Sequence, residues 1–111
     1  MNYTNTRIYS RALELVRGCD DIIKRLPSGY GFLTDQLRRA SASVVLNFAE
    51  GCGKSSLADR RRFLRIARGS AYEVGAALDV GRAFGIVTAT ERDRIHDLCD
   101  HLAAMLTRFS R

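Results

Sequence analysis

Apolar residues recur at steps of three and four along almost the whole chain, the spacing that lines one face of an α-helix. Ile8, Ala12, Leu15, Val16, Cys19, Ile22, Ile23 and Leu26 make one such stripe and predict a first helix over about 6–25. Pro27-Ser28-Gly29 breaks it, because proline lacks the amide donor that a helix interior needs. Leu33, Leu37, Ala40, Val44 and Phe48, widened by Val45 and Ala49, predict a second helix over about 31–51. Gly51-Cys52-Gly53 is expected to end it, since glycine accepts the left-handed conformation common at a helix C-terminus.

A third helix is predicted over about 56–83, with Ser55 or Ser56 as its N-cap. It turns Phe63, Leu64, Ala67, Ser70, Ala71, Val74, Ala77, Leu78 and Gly81 inward, and Gly85 is its natural stop. Thr88-Ala89-Thr90-Glu91 has capping-box spacing and opens a fourth helix over about 89–109. Ile95, Leu98, Cys99, Leu102, Met105, Leu106 and Phe109 form its apolar face. No stretch alternates with period two, so no strand is predicted. The pattern describes one all-α domain over 1–111, an antiparallel up-down-up-down four-helix bundle. Gly69, Gly75 and Gly81 each cost the third helix about 1 kcal/mol against alanine, which points to close backbone approach there.

Charge changes this picture from a generic bundle to a basic one. The 111 residues carry 18 Lys+Arg against 12 Asp+Glu, a net charge of +6. The excess lies entirely within 38–68, where Arg38, Arg39, Lys54, Arg60, Arg61, Arg62, Arg65 and Arg68 face only Glu50 and Asp59. Arg61, Arg65 and Arg68 follow at steps of four and three and share a helix face, with Arg62 beside it. Guanidinium groups offer a planar fork of donors suited to phosphate oxygens. A ridge of this kind predicts contact with a nucleic-acid backbone, read by shape and phosphate rather than base sequence. The competing reading is a solvated face, or ion pairs within the protein.

Ser43, Asn47 and Glu50 lie among apolar residues of the second helix, and Ser70 and Glu73 are similarly set in the third. Buried polar groups need partners, so these five predict a structural polar network. At least one ion pair is expected between Arg38, Arg39 or Arg68 and Glu50 or Glu73. An enzyme would require Glu50 and Glu73 to converge on one substrate atom, and no nucleophile motif accompanies them. Gly51-Cys52-Gly53-Lys54-Ser55 lacks the spacing and the preceding strand of a phosphate loop.

No cofactor or metal is expected. His96 with Asp100, and Asp97 with His101, are each four apart, but no further ligands fall at good spacing. Cys19, Cys52 and Cys99 fit neither a disulfide framework nor a zinc motif. No apolar run spans a bilayer, and the first residues lack signal-peptide order, so a cytoplasmic location without membrane contact is expected. Ala42 and Leu46 lie off the main stripe of the second helix, an apolar surplus that predicts self-association.

Three blocks carry a family likeness: Leu33-Thr34-Asp35-Gln36-Leu37-Arg38-Arg39-Ala40, Ser43-Val44-Val45-Leu46-Asn47-Phe48-Ala49-Glu50-Gly51, and Arg62-Phe63-Leu64-Arg65-Ile66-Ala67-Arg68-Gly69-Ser70 with Glu73. In this order they resemble the bacterial four-helix bundle family encoded in intervening sequences of large-subunit ribosomal RNA genes. The likeness runs from about Arg7 to Phe109. It implies a cytosolic bundle that assembles into a homopentameric ring. It also implies a fold similar to the accessory proteins of diversity-generating retroelements, basic pentamers that associate with a reverse transcriptase and with RNA or DNA. Arg38, Arg39, Arg62, Arg65 and Arg68 match the family's basic positions, and Asn47, Glu50, Ser70 and Glu73 its polar ones. One departure is Ser28-Gly29-Tyr30 where the family carries an acidic residue, which bears on how the second helix starts.

Taken together, these features predict a non-enzymatic, oligomeric, nucleic-acid-binding protein that holds structured RNA through phosphates. The alternative is a protein-interaction adaptor, such as the accessory subunit of a reverse transcriptase.

Overall fold

The computed structural model describes residues 1–111. A 3-10 turn at Tyr3–Asn5 leads into α1 (Arg7–Ile23), α2 (Gly31–Cys52), α3 (Leu57–Ala83) and α4 (Ala89–Phe109), with no strand. The helices pack as a bundle of 44 × 21 × 20 Å. Their order is antiparallel. Gly51 meets Phe63, Ser43 meets Ser70 and Gly81 meets Leu33 between α2 and α3. Arg61 meets Ser110 and Gly75 meets His96 between α3 and α4.

Caps set most of the helix starts. Thr6 accepts from the Tyr9 amide, Ser56 from Asp59, and Thr88 forms a full capping box with Glu91. α2 is the exception: Tyr30 precedes it with no side-chain cap. Leu15, Leu37, Phe48, Leu64, Leu78 and Leu102 are fully buried, each stabilising by about 1.5–3 kcal/mol. Cys19, Cys52 and Cys99 are free thiols inside this core. Burial pushes Cys19 and Cys99 up to about 12, so both are neutral packing groups.

Two glycine expectations need correction. α2 does not end through a left-handed residue, because Gly53 keeps right-handed helical angles. Gly51 is needed for contact instead: a Cβ there would meet Phe63 Cβ at 3.2 Å and the Arg60 carbonyl at 3.3 Å. In α3, Gly75 and Gly81 do sit against His96 and Val87, but the Cα of Gly69 faces open space. Gly85 stops α3 with φ 74°, a left-handed angle as expected.

Candidate nucleic-acid interface

The antiparallel order gathers the start of α1, the end of α2, the start of α3 and the end of α4 at one end of the bundle. That end holds Arg7, Arg11, Lys54, Arg60, Arg61, Arg62, Arg65, Arg68, Arg108 and Arg111; apart from Glu14, which pairs with Arg11 at 3.2 Å, only Glu50 and Asp59 oppose them. The latter two engage loosely, Glu50 with Lys54 and Asp59 with Arg62, each at 4.0 Å. Exposed pairs of this kind contribute little.

The arginines of this end divide by what they touch. Arg61 donates through Nε to the Ser110 carbonyl at 2.7 Å, and Arg68 to the Thr107 hydroxyl at 3.0 Å. Arg60 is half-buried, its Nε without a hydrogen-bond partner. Arg65 is exposed and has no partner in the protein. The guanidinium of Arg62 and the ammonium of Lys54 lie 4.5 Å and 5.1 Å from the ring centre of Phe63, a cation–π arrangement that holds both heads outward.

The opposite end is electrically different. Arg25 grips Glu91 with Nε and a terminal nitrogen, the former at 2.6 Å. Arg92 bonds Asp79 at 2.9 Å and Asp93 at 3.1 Å, and Lys24 bonds Asp20 at 2.8 Å. The Arg92 hydrogen bond holds Asp79 below the usual carboxylate range. Lys24, Arg25 and Arg92 at this end therefore have carboxylate partners, while Arg82 donates to the Val87 carbonyl; most of the basic residues at the first end have no carboxylate.

Arg38 and Arg39 leave the patch that the sequence groups them with. They lie midway along α2, and adjacent helix positions diverge by about 100°. Arg38 faces the α1 side with Val16, Arg17 and Asp20, while Arg39 bonds Gln36 on the α3 side. The expected ion pair with Glu50 or Glu73 is absent. Glu73 accepts from Gln36 at 2.7 Å, and Glu50 turns to Lys54. Ser43 and Ser70 share a hydrogen bond of 2.7 Å, and Asn47 donates to the Ser43 carbonyl and hydroxyl at 2.9 Å. Glu50 and Glu73 lie outside that trio and apart from one another. His96 bonds the Gly75 carbonyl and Asp79 across the α3–α4 seam, rather than Asp100.

The model of the 23S rRNA-intervening sequence protein family matches residues 4–108. The chain belongs to that family. The fold of this family member is similar to a solved protein of unknown function from the S23 ribosomal protein family of Bacteroides thetaiotaomicron. The two share 20% identity over 94% of this chain and 98% of that one, with a TM-score of 0.85. No curated protein matches in sequence. No helix of this family member is long and apolar enough to cross a membrane.

Arg7, Arg11, Arg108 and Arg111 join the basic end although they lie far from 38–68 in sequence. Their signal was the topology itself, since an up-down-up-down order brings the first turn of α1 beside the last turn of α4. Summing charge along the chain could not register this.

Proposed function

We propose that the protein is a non-enzymatic, oligomeric nucleic-acid binder that holds structured RNA by its phosphates. The carrying observation is the end of the bundle where Arg62 and Arg65 stand exposed and ten basic residues face three carboxylates, Glu14, Glu50 and Asp59. Membership in a family named for intervening sequences of 23S rRNA agrees with RNA as the partner. Phosphate oxygens meet the guanidinium forks, and released counterions supply much of the affinity. The principal contacts are Arg62 and Arg65, with Lys54 beside them. Arg61 and Arg68 add charge from fixed positions. This action places the protein in the cytoplasm.

A homopentameric ring is part of the same reading. Phe32, Leu46, Ile66, Val80 and Phe84 expose apolar surface on α2 and α3. Phe32, Leu33, Ala76, Ala77 and Val80 line a groove there of about 400 Å³. A second copy covering this face explains its composition. Five protomers carry about +30 in all, a strong field for a polyanion.

The test is a mobility-shift titration with structured RNA at low and high salt, alongside the mass in solution. The expected result is an oligomer whose RNA affinity falls steeply with salt and collapses in Arg62→Glu/Arg65→Glu. No RNA binding at low salt removes the reading. A second reading, an adaptor for a protein such as a reverse transcriptase, draws on the cluster of exposed Phe32 and Phe84 with half-buried Tyr30, whose ring centres lie 5.7–6.2 Å apart. A partner pulled down after nuclease treatment, and lost in Phe32→Ser/Phe84→Ser, favours it.

A further inference from the structure

Two hollows flank the outer face of α4 near the basic end. One, of about 280 Å³, lies between α1 and α4 and is lined by Arg7, Arg11, His101, Ala104, Met105 and Arg108, with no carboxylate. The other, of about 480 Å³, lies between α3 and α4 and includes Tyr72, Ala103, Thr107, Arg108 and Arg111. Ala104 and Arg108 line both, so the hollows adjoin one another along α4. Farther along the α1–α4 cleft, which Arg11 and His101 also line, Arg17 and Arg94 are matched by Glu14, Asp21 and Asp97. Anion attraction is thus concentrated at the Arg7–Arg108 end.

Tyr72 is 59% exposed although its ring is large and mostly apolar. It makes no hydrogen bond and no ring contact within the protein. Arg65 stands seven residues before it on the same face of α3, and Arg68 is fixed one turn away by Thr107. An unpartnered aromatic face beside a cationic groove is the arrangement that holds a single nucleic-acid strand, the bases stacking while the backbone follows the charge. A duplex keeps its bases stacked on each other and has no use for such a face.

We infer that a single-stranded segment of RNA crosses α4, with a base stacked on Tyr72 and a phosphate held in the α1–α4 hollow by Arg7, Arg11 and Arg108. The inference rests on the RNA-binding reading and specifies which part of a structured RNA this surface takes: an unpaired loop or end. His101 adds a donor to the phosphate. Arg11 also bonds Glu14 at 3.2 Å, and the phosphate competes for it. Asp100 lines the α3–α4 hollow and repels phosphate, which directs the backbone to the α1 side of Ala104.

The experiment measures affinities of the full chain for a fluorescein-labelled 20-nucleotide oligouridylate and for an RNA duplex of similar length, in parallel. Tyr72→Ala is expected to weaken single-strand binding about tenfold and to leave duplex binding unchanged, while Tyr72→Phe keeps both. Ala104→Glu, at an exposed helix position, is expected to weaken the single strand by a similar factor without altering the helical spectrum. A Tyr72→Ala protein with unchanged single-strand affinity, or one that loses both RNAs equally, overturns the inference while leaving RNA binding in place. Wild-type protein that binds neither RNA sinks the functional reading itself.

Discussion

The Nε–H of Arg61 donates to the carbonyl oxygen of Ser110 at 2.7 Å, so an arginine near the start of α3 closes the end of α4. Four residues on, Arg65 shares much of its helix face and touches no protein acceptor. Two similar side chains in one ridge therefore have different work. Arg61→Ala is expected to lower stability by about 1–2 kcal/mol, read from urea denaturation, because a charged donor is lost and a helix-end carbonyl is freed. Arg65→Ala is expected to leave the denaturation midpoint unchanged and to weaken RNA binding.

The salt dependence of RNA affinity counts phosphate contacts. Replacing Arg65, or Arg62, is expected to reduce the slope of log affinity against log salt by about 1. Arg25→Ala, at the end where arginine is already paired with Glu91, is expected to leave that slope unaltered. Titrations at three salt concentrations separate these outcomes.

Glycines within α3 give a paired test of packing. A Cβ on Gly81 would collide with the Val87 side chain, whereas one on Gly69 meets nothing within 4 Å. Gly81→Ala is expected to destabilise by about 1–3 kcal/mol, as overpacking does. Gly69→Ala is expected to stabilise by about 0.5–1 kcal/mol through helix propensity, provided Gly69 faces solvent in the assembled protein. Thermal midpoints of the two variants should move in opposite directions. A destabilised Gly69→Ala would instead indicate that another copy approaches α3 at that point.

Much of this was legible in the sequence, and the limits have physical causes. The stripes from Ile8 to Phe109 fixed four helices because their period is local. The Thr88–Glu91 capping box was readable for the same reason, since both partners lie within one turn. Burial partners are not local. Arg68 resembles a free phosphate hook in sequence, and only the packing of α4 against α3 gives it Thr107. The expected ion pair of Arg38, Arg39 or Arg68 with Glu50 or Glu73 does not form: Glu73 meets Gln36 and Glu50 meets Lys54, because side chains on facing helices are matched by level along the axis, which charge counts ignore. The Ser43–Ser70 bond was anticipated as a pairing of polar residues, while Glu50 fell on the solvent side of the same helix.

Acid should loosen the end opposite the arginines. Glu91 sits below its ordinary value of 4.5: burial alone would raise it, but hydrogen bonds from Arg25 and Thr88 prevail. Asp79 sits below 3.8, chiefly through its hydrogen bond from Arg92. A depressed folded value means that the stabilisation is complete above the ordinary value and is lost as pH falls through the folded one. Stability is therefore expected to decline as pH falls from the ordinary values of 4.5 and 3.8 through the lower folded ones. Asp79→Asn/Glu91→Gln should show a shallower decline than the parent, measured by thermal melts across that range. Equal slopes would mean that other carboxylates govern the transition.

Segregating charge along a 44 Å axis makes each protomer a permanent electric dipole. In the field of a polyanion such a body experiences torque as well as attraction, so it rotates its arginine end forward before contact. A cyclic ring adds a second consequence. Rotational symmetry about an axis along the bundles points every dipole the same way, and parallel dipoles set side by side repel. If the proposed ring forms, the apolar faces of α2 and α3 have to overcome that repulsion, which screening by salt diminishes. Added salt would then tighten such a ring while loosening its hold on RNA.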